Sequence, residues 1–195
     1  MFLKSSIGAR PLLDLNSYFL LVMNHDASVM VVDPSVSVGG ITSTMARIDI
    51  KQPPMDWVTP KDNKRVFVSM PAANEVAVID SEQLNVRESI AAGSNPVRVA
   101  LQPDERLLWV GNNAPSAEQS GVTVIDTRSL KTLKHLATGG GHHEMAFSKD
   151  SRFAFVTNRD DGTLSIIEIA SLTLIKQLKT GSHPLSVVYS PLSDA

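Results

Sequence analysis

The chemistry this chain can offer gathers around three imidazoles and one carboxylate. His142 and His143 stand side by side, Glu144 follows them, and His183 comes later in the chain. Imidazole together with carboxylate suits zinc, copper or non-haem iron. Imidazole alone suits haem ligation and general-base work. His143 and His183 form the candidate metal pair, with Glu144 as partner. The spacing carries no helical His-x-x-x-His pair. A Gly-x-Ser-x-Gly elbow, a phosphate loop, a dinucleotide fingerprint and a haem-attachment site are also missing from the sequence. Cysteine is absent, which rules out thiolate ligands and disulfides and fits either redox compartment. No cofactor is therefore required by the sequence, although a metal or haem has donors to use.

Other polar residues read first as structure. Asp33, Asp80, Asp126 and Glu168 each close an apolar run (Val31-Val32, Val78-Ile79, Val124-Ile125, Ile166-Ile167). Four such acids suggest a ring of carboxylates, but an acid at a strand end accepts bonds from turn amides. Asn24, Asn112 and Asn158 cap strand exits in the same spirit. Asp160-Asp161-Gly162 is shorter than a calcium loop and reads as a turn. Gly139-Gly140-Gly141 either lets a backbone approach a ligand closely or acts as a hinge. Trp57 and Trp109 read as core.

The elements that position these residues repeat. The acids recur roughly every 45 residues, and a second apolar run precedes each: Leu21-Val22-Met23-Asn24, Phe67-Val68-Ser69-Met70, Trp109-Val110-Gly111-Asn112 and Phe155-Val156-Thr157-Asn158. A Gly-x-x-Pro-like start also recurs at Gly8, Lys51, Gly93, Gly141 and Gly181. A period of about 40 to 50 residues built from β units predicts a propeller with one four-stranded blade per repeat. The blades run over about 8–50, 51–92, 93–138 and 139–180, with the next begun at 181–195. The segment Pro184 to Ser190 is expected as the first strand of that fifth blade. Helix-like stretches near Met45 to Ile50 and Gln83 to Ile90 fall where outer strands belong.

Labelling each blade's strands a to d from the channel outward, up-and-down strands place the d–a and b–c loops on one face. His25, His142, His143, Glu144, Arg159 and His183 then share that face with the inserted loop Asn113–Ser120, and His183 matches His143 in the next repeat. Four blades and a strand predict an incomplete propeller, either an excerpt of a larger one or a chain that completes itself with another copy; a closed four-bladed ring is the alternative. Open edges and bare apolar faces favour self-association.

Bulk properties narrow the partners. Eighteen basic against twenty acidic residues give a net charge of −2, so duplex nucleic acid has little electrostatic support. No apolar run reaches the roughly 18 residues that span a bilayer. No signal peptide is visible at Met1-Phe2-Leu3-Lys4.

The strand pairs carry a family likeness. Phe155-Val156-Thr157-Asn158 followed by Thr163 to Glu168, Trp109-Val110-Gly111-Asn112 followed by Val122 to Asp126, and Asn74-Glu75-Val76-Ala77-Val78-Ile79-Asp80 resemble the YVTN β-propeller repeat, related to the cytochrome d1 haem domain. The resemblance implies an all-β propeller and a periplasmic or extracellular setting. It spans surface-layer proteins, periplasmic binding proteins, dehydrogenase subunits, haem d1 proteins and lactonase-like enzymes, so it does not fix a reaction. The leading expectation is a non-enzymatic scaffold that binds a protein or small molecule on the histidine-bearing face. The alternative is a metal-, haem- or quinone-linked redox subunit or a lactonase-like enzyme, with its His/Glu site at the channel mouth.

Overall fold

A computed structural model describes residues 19–33 and 44–190. The proposed Gly8 start and the inner strand of the first blade lie outside those residues. Alternation of period two writes the strands. The first sheet is β1 (Leu20–Asn24), β2 (Ser28–Val32) and β3 (Thr44–Asp49). The second is β4 (Trp57–Val58), β5 (Arg65–Met70), β6 (Glu75–Asp80) and β7 (Asn85–Ala91). The third is β8 (Pro96–Leu101), β9 (Leu107–Asn112), β10 (Gly121–Asp126) and β11 (Lys131–Leu136). The fourth is β12 (Met145–Phe147), β13 (Phe153–Asn158), β14 (Thr163–Glu168) and β15 (Thr173–Lys179). Every pairing is antiparallel, and each sheet follows chain order as a meander. The stretches with helix-like composition become β3 and β7. The only helical piece among the described residues is one 3₁₀ turn, Pro71–Ala73.

Both faces of each sheet are apolar, and neighbouring sheets bury them against each other. On β5, Val66 and Val68 point back into a cluster with Val29, Val31 and Ile48 of the first blade. Phe67, between them, points forward with Val76 and Val78 into a cluster with Leu108, Val110 and Ile125 of the third. Trp109, Val122 and Val124 repeat the forward role against Ala154, Val156 and Ile167 of the fourth. All of these side chains are buried. Each such residue contributes about 1.5–3 kcal/mol through removal from water. The three shared cores therefore hold the blades together more firmly than any surface contact does.

The turns repeat as well. Asp62, Asp104 and Asp150 each use Oδ1 to accept the amide two residues on, from Lys64, Arg106 and Arg152, at 2.9–3.1 Å. Asp80 Oδ1 accepts the amides of Glu82 and Gln83, and Asp126 Oδ1 those of Arg128 and Ser129. These amide bonds hold both carboxyls below the ordinary carboxylate pKa. Glu168 departs from this, accepting a hydroxyl bond from Ser171 at 2.6 Å. The strand-end acids at 80, 126 and 168 thus close c–d turns.

Inner strands vary most. β4 spans only two residues, and the Pro53-Pro54 pair before it offers no amide to a ladder. Pro184 to Ser190, expected as the first strand of a fifth blade, pairs with no strand among the described residues. It nevertheless lies against the fourth blade, where Tyr189 stacks on Phe155 at 6.0 Å and 12°.

Gly93 opens the d–a loop into the third blade with φ +80°, and a Cβ there would lie 2.7 Å from Thr123 Oγ1 and 2.8 Å from Asn112 Nδ2. We expect Gly93→Ala to lower unfolding free energy by more than about 1 kcal/mol, through backbone strain and crowding together. Denaturant titration measures this. An unchanged midpoint would show that the loop relaxes freely.

Candidate functional site

Hydrogen bonds between loops establish the shared face. The Asn95 amide, in the d–a loop, donates to Asn74 Oδ1 in a b–c loop at 2.8 Å. Asn95 Nδ2 donates to the Asn113 carbonyl at 2.6 Å. In the fourth blade Gly140 donates its amide to Asp161 Oδ2 at 2.9 Å, and Asp160 donates its amide to the Gly140 carbonyl at 3.1 Å. Asp160 and Asp161 therefore brace the glycine loop. On this face lie His25, exposed in the β1–β2 turn, and Arg159, exposed with its amide on the His142 carbonyl at 3.3 Å.

Beneath the loops, one position of the inner strand carries charge in three successive blades. Arg98 pairs with Gly111 across the β8–β9 ladder. The Ser69 amide donates to the Asp56 carbonyl and the Thr157 amide to the Glu144 carbonyl, which sets those residues at the same level. Asp56, Arg98 and Glu144 are thus equivalent, ordered negative, positive, negative. Arg98 Nη1 lies 3.2 Å from Asp56 Oδ2, and Arg98 Nε lies 3.2 Å from Glu144 Oε2. Asp56 Oδ2 also accepts the Val99 amide at 2.9 Å. Glu144 Oε1 meets His142 Nε2 at 3.0 Å. One guanidinium so links blades two, three and four, and its side chain keeps 40% exposure toward the channel. Asp56 and Arg98 escape a reading that looks only for imidazole. The signal that finds them is the ladder partner of the third residue in each strand-b motif.

His143 takes a different part from its neighbours. It is fully buried. Its Nδ1 lies 2.9 Å from the Thr157 carbonyl oxygen, which can only accept, so Nδ1 carries the hydrogen. Nε2 faces Ser120 Oγ at 3.1 Å, and that hydroxyl oxygen is also 2.9 Å from the Asn112 carbonyl. The single Ser120 hydroxyl hydrogen serves either Nε2 or that carbonyl. Both ring nitrogens face groups inside the protein, and the ring sits as a bridge between blades three and four. Gly111 lets the inner strand come close at this level, since a Cβ there would meet the His143 carbonyl oxygen at 3.1 Å and Arg98 Cβ at 3.2 Å. Burial holds this imidazole below its ordinary pKa.

His183 is exposed, with Nδ1 2.6 Å from Ser182 Oγ. The expected equivalence of His143 and His183 is corrected by the backbone. Gly93, Gly139 and Gly181 share positive φ at the loop start, and Asn95, Gly141 and His183 share it two residues later. His183 therefore matches Gly141, and His143 matches Val97. The run of three glycines hid this register, because Gly141 looked like the repeat start and Gly139 fills it. His135 stands apart on outer strand β11, its Nδ1 3.0 Å from Thr123 Oγ1. Among the described residues no three His, Cys, Asp or Glu side chains gather closely enough to hold a metal. No helix among them is long and apolar enough to cross a membrane.

Comparison with known proteins agrees with this architecture. A match to the YNCE-like beta-propeller family runs over residues 8–194. The chain belongs to that family. It is 27% identical over 134 residues to Protein NirF of Pseudomonas aeruginosa, covering 69% of this chain and 33% of that one. Protein NirF of Stutzerimonas stutzeri is 26% identical over 140 residues, covering 72% and 35%. The chain thus spans about a third of the length of the curated relatives it matches. Among solved structures, Kuenenia stuttgartiensis hydrazine synthase is similar with a TM-score of 0.69 at 18% identity, over 84% of this chain and 46% of that chain. A putative 6-phosphogluconolactonase from Bacteroides fragilis also gives 0.69, at 16% identity over 88% and 54%. These likenesses show the propeller fold.

Two predictions arise here. His143 resists protonation when folded and takes a proton near pH 6.5 when unfolded. The unfolded state then binds more protons, so stability is complete above about pH 6.5 and declines as pH falls below it. His135, on the exposed outer strand β11, is also held below its ordinary pKa by desolvation and acts with the same sign. Urea midpoints measured from pH 7.5 to 5 should fall, and His143→Gln should flatten the slope while lowering stability at pH 7.5. A wild-type midpoint flat across this range would refute the assignment. Separately, a double-mutant cycle on Arg98→Ala and Glu144→Gln should give a coupling of about 0.5–1 kcal/mol, small because the pair is partly exposed, and it should shrink in salt. Zero coupling at low salt would break the proposed tie between blades.

Proposed function

We propose that this chain is a non-enzymatic binding and scaffold module, taking a protein or small-molecule ligand on the face that carries the d–a and b–c loops. The observation that carries the reading is the commitment of its most promising group. The His143 ring is fully buried, with Nδ1 donating to the Thr157 carbonyl and Nε2 turned inward against Ser120 Oγ, so neither nitrogen faces a substrate or a metal. What remains open is polar and varied: His25, His142, Arg159 and His183 around the mouth, with Arg98 and Glu144 on the wall below. Such a set suits recognition by several spaced hydrogen bonds and charges more than attack on one bond. A periplasmic or extracellular setting is part of the proposal and rests on the resemblance of the repeats.

One observation favours the second reading, an enzyme or redox subunit. The His142–Glu144 contact at 3.0 Å is the arrangement a general base or an imidazole ligand would use. If that reading holds, His142 takes the role, since His143 is committed. The donor set falls short of a metal centre, because no third ligating side chain joins this pair among the described residues. A haem would find His142 as its one partly exposed imidazole on Glu144, which supplies orientation and no further ligand.

Metal content, a visible absorption spectrum and turnover of a sugar lactone, measured on the purified wild type and on a double variant combining His142→Ala with Glu144→Gln, separate the two. The binding reading expects no difference between the proteins in any of the three. A stoichiometric metal, a chromophore or a lactonase rate that disappears in the double variant would establish the enzyme reading instead.

A further inference from the structure

The three shared cores are built from matching halves, and the outermost sheets each present one half without its mate. A forward half is made of Phe67, Val76 and Val78 in the second blade and of Trp109, Val122 and Val124 in the third, all 0% exposed. Ladder register assigns the same role in the fourth blade to Phe155, Leu164 and Ile166, with Leu178 opposite Leu164 on β15. These are only partly covered, and Leu178 is 37% exposed where its counterparts Ile90 and Leu136 are 5% and 8%. A backward half is made of Val66 and Val68, then Leu108 and Val110, each no more than 1% exposed. The equivalent residues of the first blade, Leu20 and Val22, are 48% and 44% exposed.

We propose that the forward face of the fourth blade docks the backward face of the first blade of a second copy of this chain, head to tail. The new contact continues the interface already present three times within the chain. Forward residues here are the same aromatic and branched types that pack on backward residues elsewhere, so the two faces are complementary by repetition. Beyond the fourth blade, Leu185 and Val188 of the next segment are 72% and 86% exposed. The segment Pro184 to Ser190 already lies on the forward face through Tyr189. Residue for residue it matches the Pro96-to-Gln102 stretch containing inner strand β8. It is therefore placed to serve as an inner strand for the arriving blade, where β1 pairs only with β2 among the described residues. Size agrees. The chain covers 46% and 54% of two solved propeller-like chains, so two arcs supply about the extent of one such chain. Head-to-tail contacts of this kind close into a ring when the rotation permits.

Sedimentation velocity over a range of concentrations tests this, with single variants Ile166→Glu and Val22→Glu. Either variant buries a carboxylate against apolar partners, and should weaken association by roughly tenfold or more. Val188→Glu adds a variant at a side chain too exposed to affect folding of the isolated chain, and it too should weaken association. Far-ultraviolet circular dichroism checks that each keeps its strands. Because the chain lacks cysteine, mixing a Leu178→Cys protein with a Val22→Cys protein reports orientation directly. Mixed disulfide dimers are expected in preference to either homodimer. A wild type that stays monomeric at every concentration overturns the proposal and leaves the face to a different chain. Preferential disulfides between two Leu178→Cys proteins overturn it as well, since they place like faces together.

Discussion

A four-stranded sheet of forty-odd residues with two apolar faces cannot bury either of them alone. Everything else in this structure answers that constraint. Alternation along β5 sends Val66 and Val68 one way and Phe67 the other, and both directions end in a shared core. A sheet with one wet face would have spaced polar residues at every second position. Here the middle strands read as continuous apolar runs, which only radial stacking satisfies. The backbone follows from this: meandering antiparallel strands, short turns and, among the described residues, no α-helix to cover a face.

Radial stacking also decides where polar groups are allowed. Between blades there is room for apolar side chains and for a few polar groups held in place, such as the His143 ring between Thr157 and Ser120. At the loop ends and along the inner wall the sheets splay and water reaches the chain. Charges collect there, and the inner strand is the one element that can present them to its neighbours in successive blades. Asp56, Arg98 and Glu144 use that geometry to alternate in sign. The arrangement ties the blades where their cores end, and it leaves the channel mouth polar. Any ligand entering there meets a wall already paired within itself. It must compete with those pairs or bind around them.

How much of this could be read from the sequence depends on whether the information is local. The c-strand acids, the turn aspartates and the strand-b motifs are local, because each is set by a few consecutive residues and their amides. The sheets therefore emerge from periodicity alone. The inner strands were harder. β4 is two residues long behind Pro53-Pro54, and a ladder so short leaves little alternation to detect. The register of the fourth d–a loop failed for a related reason. Three consecutive glycines fit the repeat start in more than one way, and only backbone φ shows that Gly139 holds the place of Gly93. That two-residue slip is what made His143 look like the partner of His183. The role of His143 was illegible for another reason, because its bonds run to Ser120 and Thr157 on different blades. Long-range contacts of that kind leave no pattern in the neighbouring sequence.

The same distinction bears on function. Similarity to proteins as different as hydrazine synthase, a putative 6-phosphogluconolactonase and NirF is similarity in the stacking rule, which many sequences obey. What differs among propellers is the residue each inner strand and each loop places at the mouth. In this chain the imidazole most deeply set near the mouth is a buried bridge between blades, Nδ1 on the Thr157 carbonyl and Nε2 against Ser120. The exposed ones are scattered around the rim. On the scaffold reading proposed above, recognition falls to the rim and to the charged wall beneath it. Those are the positions at which one member of this fold must differ from the next if they are to recognise different things.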